Sequence, residues 1–186
     1  MPVEPVLLRR SSSNDLCDQM SFTSHSIGNA NMQTVSVTET INAPITDVWN
    51  SIDDYANIDQ FNPNLTKSFL INGSAPTGLG AERQCDLIDG KNYVREKIVG
   101  YETNRRFAVD IYEASVPIKQ AEVEFTFRAI SETRSELTMT MNFEPKFGLL
   151  NAVMGPMMKG PMRKSMAGLL AGNKAFVETG ALANAA

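Results

Sequence analysis

The sequence predicts an α+β domain: a curved, seven-stranded antiparallel sheet wrapped around a long C-terminal helix, with two short helices between the first and second strands. Three observations carry this reading. Residues 146–180 repeat apolar side chains every three or four positions, residues 65–144 divide into six strand-like runs separated by turn signals, and residues 43–61 hold two short helical patterns after one isolated strand.

Thr34 to Asn42 sets Val35, Val37 and Ile41 against Ser36, Thr38 and Thr40, the alternation of a half-buried strand. Ala43-Pro44 then opens a helix, since proline is tolerated in a first turn; Ile45, Val48, Trp49 and Ile52 form its apolar face. A second short helix, about Asp54 to Phe61, stops before Pro63. The six later strands are Leu65–Ile71, Ala81–Leu87, Tyr93–Tyr101, Arg105–Glu113, Ile118–Ile130 and Ser135–Glu144. Asn72-Gly73 ends the first of these runs, Asp89-Gly90 is a strong hairpin dipeptide, and the short turns between the runs imply an antiparallel meander.

In the long helix, Phe147, Leu150, Met154, Met158, Met162, Met166, Leu169, Asn173 and Phe176 share one face, and Lys159, Arg163, Lys164, Lys174 and Glu178 fall largely elsewhere. Pro156 and Pro161 each remove a helix hydrogen bond, so a break or kink is expected at both and a clean helix only from about Met157 to Thr179. Five methionines between Met154 and Met166 suit either a plain core face or the adaptable wall of an apolar cavity. Gly168 and Gly172 permit close approach of the helix backbone or leave a void.

The 186 residues, 42% apolar, suit one domain, residues 33–180, with a flexible C-terminus at 181–186. A net charge of −4 disfavours nucleic acid as a partner, and no apolar run is long enough for stable membrane insertion. Cys17 and Cys85 stand far apart, which fits a reducing, cytoplasmic setting. Residues 1–32 are polar and aperiodic, and read as a disordered tail without a secretory signal, or as sequence upstream of a true start at Met20 or Met32. The single histidine, His25, lies in that tail, so no metal and no cofactor is expected.

Alternation assigns inward faces: Arg83, Cys85 and Leu87; Val94, Glu96 and Ile98; Ala121, Val123, Phe125 and Phe127; Leu137, Met139, Met141 and Phe143. The concave side is therefore apolar except for Arg83 and Glu96, which lie on successive hairpin strands and can meet. They serve either as a structural ion pair or as a polar anchor in a cavity. In the second role Arg83 would hold a carboxylate, phenolate or enolate oxygen, and Glu96 would act as acid or base if burial raised its pKa. Cys85 reads as a small buried apolar residue, Trp49 as a core anchor or pocket wall, and Arg105 and Arg106 as solvated.

The stretches Ile41 to Trp49 and Asp54 to Pro63, the Gly78–Arg83 segment, the pair Arg95-Glu96, and Met157 to Arg163 running on to Gly180 resemble the SRPBCC superfamily, that of START domains and the birch-pollen allergen. The likeness is greatest to its polyketide cyclase/dehydrase-type branch, although Phe61 stands where that branch often carries tryptophan. The resemblance covers about Thr34 to Gly180 and implies the helix-grip fold. It implies binding of a hydrophobic or aromatic small molecule (a lipid, polyketide or similar metabolite) between sheet and helix, or a cyclase/dehydrase-like enzyme using the same cavity, or a co-chaperone or regulatory partner. The candidate ligand-binding residues are Trp49, Phe61, Arg83, Glu96, Phe125, Phe127, Met139, Met141, Met158, Met162 and Met166. Glu96, Arg83 and Tyr112 are the candidates for proton transfer. The oligomeric state is left open.

Overall fold

The computed structural model describes residues 31–183. Seven antiparallel strands form one sheet: β1 (Gln33–Ile41), β2 (Leu65–Leu70), β3 (Glu82–Leu87), β4 (Tyr93–Glu102), β5 (Arg106–Ala114), β6 (Ile118–Ser131) and β7 (Arg134–Pro145). Strands β2 to β7 follow one another as a meander, and only β1 leaves sequence order, pairing with β7 at the far edge. Between β1 and β2 run the helix α1 (Ile45–Asp53) and a short 3-10 helix (Tyr55–Gln60). A 3-10 turn, Gly148–Leu150, leads into the long helix α2 (Asn151–Thr179).

The turn dipeptides act as their chemistry requires. Asn72-Gly73 and Gly90 adopt positive φ, which glycine takes without steric cost and asparagine tolerates. The β4–β5 register shifts between Arg95 and Glu96 and again between Ile98 and Gly100. Such bulges bend a strand and sharpen its twist. The sheet curls accordingly into a half-barrel around α2.

The inward residues of β6 and β7 (Val123, Phe125, Leu137, Met139, Met141 and Phe143 among them) are buried beneath Met166, Leu169 and Leu170 of α2. Each fully buried large apolar side chain of this kind stabilises by roughly 1.5–3 kcal/mol relative to exposure. Trp49 anchors α1 in an aromatic cluster, its ring 5.3 Å from Tyr101, 5.9 Å from Phe107 and 5.1 Å from Phe127.

Polar groups of α2 fasten it to the edge strand. Arg163 donates to the Ser36 carbonyl (3.0 Å), Lys174 to Glu39 (2.8 Å) and the Thr40 carbonyl (2.7 Å), and Glu178 accepts from the Asn42 amide (2.6 Å). Gly180 closes the helix in the left-handed conformation. Ala183 donates to the Gln60 carbonyl at 2.7 Å, which ties the start of segment 181–186 back to the fold.

Three expectations need correction. Pro156 and Pro161 do not break the helix: α2 runs through both. Each proline follows a glycine, Gly155 or Gly160, and the clash that bars a helical residue before proline falls partly on a Cβ that glycine lacks. Leu150 does not join the buried face; it ends the 3-10 turn and is exposed. Arg106 is not simply solvated, since it pairs with Glu124 at 2.5 Å. The readings placed on residues 1–30 and on His25 lie outside the described residues.

Candidate functional site

Strand β3 buries every second residue, which turns Arg83 and Cys85 inward between half-buried Glu82, Gln84 and Asp86. Arg83 stands directly opposite Glu96 in the β3–β4 register. Both are nearly sealed from bulk solvent, at 4% and 8% exposure. The Arg83 Nε donates to Glu96 Oε2 at 2.8 Å and its Nη2 lies 2.6 Å from the same oxygen. Its Nη1 donates to the Tyr55 carbonyl at 2.8 Å, and the guanidinium stacks 4.0 Å from the Tyr55 ring centroid. The turn of 3-10 helix that carries Tyr55 therefore fixes the arginine from a third side.

The electrostatics follow from this packing. Burial is the largest single influence and works against the Arg83 charge, but the charge and hydrogen bond of Glu96, with Cys85 and Tyr55 beside it, together hold the guanidinium above its ordinary pKa. Burial, helped by the Glu96 charge, pushes the Tyr55 phenol up. Burial pushes the Cys85 thiol up to about 12, against the pull of Arg83. Cys85 is thus a neutral thiol and no nucleophile.

The pair sits at the inner end of a cavity of about 120 Å³ between sheet and helix. Val109, Ile111, Phe125, Met139 and Met141 line it from the sheet, and Met162, Met166 and Leu169 from α2. It adjoins a wider chamber of about 540 Å³, bounded by Val116, Pro117 and Ile118 at the β5–β6 corner and by Met154, Met157, Met158 and Pro161. Leu87, Val94, Ile111, Met141, Met162 and Ser165 border both. Asn64 braces the rim, donating to Asn62 Oδ1 (2.8 Å) and to the Ser165 carbonyl of α2 (3.0 Å). Among the described residues no three His, Cys, Asp or Glu side chains converge as metal ligands, and no helix is long and apolar enough to cross a membrane.

Of the residues singled out from sequence, Arg83, Glu96, Phe125, Met139, Met141, Met162 and Met166 line the inner cavity and Met158 the outer chamber. Trp49 and Phe127 border neither, because they pack on each other in the aromatic cluster. Phe61 packs on Phe176 at 5.5 Å and borders a separate hollow beside α1. Tyr112 is on the opposite face of the sheet: β5 turns Phe107, Val109 and Ile111 inward, so Tyr112 is exposed and its hydroxyl donates to Glu82 at 3.2 Å. Sequence reasoning missed Val109 and Ile111, whose alternation was readable, and Ile58, Asn62, Asn64 and Ser165, for which no pattern gave a signal.

A curled antiparallel sheet gripping a C-terminal helix over an apolar cavity is the helix-grip architecture. The chain belongs to the polyketide cyclase/dehydrase and lipid transport family, whose model matches residues 32–178. No curated protein matches it by sequence. Among solved structures it is similar to a START superfamily protein from Mycobacterium smegmatis (17% identity, 78% of this chain and 97% of that one, TM-score 0.67). It is also similar to the Zhui aromatase/cyclase from Streptomyces sp. R1128 (16% identity, 79% and 94%, TM-score 0.67). A third is a norcoclaurine synthase from Thalictrum flavum, in complex with a transition-state analogue (12% identity, 79% and 94%, TM-score 0.60). At these identities the likeness is one of fold.

Proposed function

We propose that this protein binds an apolar or aromatic small molecule, of the lipid or polyketide kind, between sheet and α2. The observation that carries the reading is the pair of adjoining chambers, walled by aliphatic, aromatic and methionine side chains with one ionic pair at the inner end. Binding sites for small apolar molecules have this composition: mostly hydrophobic walls and a few placed polar groups. Met162 is one of six residues that border both chambers, and it does so from α2, so a bulky side chain there should narrow the space between them. The test is native mass spectrometry of protein purified from its own host, together with Nile red fluorescence of wild type and Met162→Trp. A retained apolar compound and loss of Nile red binding in the variant support the reading; an empty protein that also ignores Nile red overturns it.

A second reading has a specific observation behind it. Glu96 borders the inner cavity, and its Oε1 receives no hydrogen bond from the described residues. A carboxylate so placed is a proton acceptor, as a cyclase or dehydrase requires. Positioning by the walls would supply most of the rate. Turnover of an aromatic polyketide precursor that is lost in Glu96→Gln, with binding retained, would favour the enzyme.

A further inference from the structure

We infer that the inner end of the cavity selects a neutral ligand that donates a hydroxyl hydrogen to Glu96 Oε1, and rejects ligands ending in a carboxylate. The inference rests on the binding reading above and names the ligand chemistry of that site. A lone arginine at the end of an apolar cavity would be a carboxylate receptor. Arg83 is not alone. Two of its nitrogens converge on Glu96 Oε2 at 2.8 and 2.6 Å, and a third is held by the Tyr55 carbonyl at 2.8 Å. Its charge is matched and its orientation is fixed from both sides.

The oxygen left over decides the chemistry. Glu96 Oε1 is bonded to no described residue and is not among the fully buried unpartnered atoms, so it looks into the cavity that Glu96 lines. An ionised carboxylate oxygen only accepts hydrogen bonds. The group missing from the site is therefore a donor. A ligand carboxylate would bring a second negative charge beside Glu96 with only one arginine between them, in a low-dielectric space where like charges repel strongly. A ligand ammonium would donate, but it would face Arg83 and leave water without an anion of its own. An alcohol or phenol satisfies Oε1 and adds no charge.

Matched ten-carbon probes test this by displacement of Nile red from the full chain at pH 8: 1-decanol and decanoate, the latter ionised there. Wild type is expected to bind decanol more tightly by at least about tenfold, which corresponds to about 1.4 kcal/mol. In Glu96→Gln the arginine loses its counter-charge, and the order is expected to reverse in favour of decanoate. Equal or tighter decanoate binding by wild type overturns the inference and leaves the cavity reading standing. A folded Glu96→Gln that still prefers decanol also overturns it, because the preference would then come from the apolar walls. If Glu96→Gln does not fold, the wild-type order decides by itself. Nile red bound by wild type and displaced by neither probe overturns the inference alone. Failure of wild type to bind Nile red or either probe removes the cavity reading and the inference together.

Discussion

Arg83 gives two nitrogens to one oxygen of Glu96, a residue that lines the cavity, and the other oxygen has no hydrogen bond from the described residues. The asymmetry makes the pair both a cross-strand tie and a chemical surface. As a tie, it is expected to show strong coupling. Arg83→Met and Glu96→Leu each strand a buried charge and should cost on the order of 3–5 kcal/mol, while the double substitution recovers more than half of the combined loss. Urea titrations of the four proteins give the coupling directly. A value near zero would mean that the two side chains do not pair in solution.

The glycines of α2 make opposite predictions. A methyl group on Gly172 would collide with the Phe61 carbonyl oxygen, a backbone atom that cannot move aside cheaply. Gly172→Ala should therefore destabilise by roughly 1–3 kcal/mol or more, as overpacking does. A methyl group on Gly168, which precedes no proline, meets only ordinary contacts, with Pro63 at 3.5 Å and Asn64 at 4.0 Å. Gly168→Ala should stabilise, by up to about 1 kcal/mol from helix propensity. Melting temperatures that move in the same direction for both would contradict this account of the helix packing.

Cys85 and alkaline pH give a third test. Its folded-state pKa is raised by burial from 9.0 to about 12. The folded chain therefore keeps a proton that the unfolded chain releases above pH 9. The contribution is fully present below pH 9 and is lost as pH rises from 9 towards 12, at most about 1.4 kcal/mol per pH unit. Cys85→Ala should flatten the fall in stability over that window. In the native wild type the thiol should resist iodoacetamide at pH 8 and react only after unfolding; rapid native alkylation would show that the site is open and ionised.

Ser51 and Asn173 make the fourth. Both are buried: Asn173 Nδ2 donates to Ser51 Oγ at 2.7 Å, and that hydroxyl donates to the Val48 carbonyl at 2.8 Å. Among the described residues Asn173 Oδ1 has no hydrogen-bond partner. Ser51→Ala strips the asparagine of its one bond and should cost roughly 1–3 kcal/mol. Ser51→Ala with Asn173→Leu should regain most of it, because an apolar pair replaces a half-satisfied one. Chemical denaturation of both variants checks the order.

Much of the fold was legible because its signals are local. Turn dipeptides such as Asp89-Gly90 mark strand ends to within a residue or two, and alternation along β3 and β4 by itself turns Arg83 and Glu96 inward. The cavity was legible only in part. Alternation says that Phe125 and Phe127 both face inward, but the curl of the sheet decides that Phe125 meets the void while Phe127 meets Trp49. Tyr112 offers a hydroxyl, but alternation with Phe107, Val109 and Ile111 puts it on the outer face of β5, away from the cavity. Asn62 and Asn64 reach the rim through one corner of the chain, and nothing periodic announces them.

The prolines of α2 set the cavity's mechanics. Pro156 and Pro161 border or flank the outer chamber and have no amide hydrogen to give to the helix turn before them. Two rungs are thus absent from the roof within six residues, while the far end of the helix is pinned by Lys174, Glu178 and the collar of Phe61 against Gly172. The roof is compliant at one end and stiff at the other. If the chambers take a ligand as proposed, its entry and exit would depend on the bending of residues 152–161, while Met166 and Leu169, nearer the pinned end, would keep the shape of the inner cavity, so that residence time and selectivity would be tunable separately within a single helix.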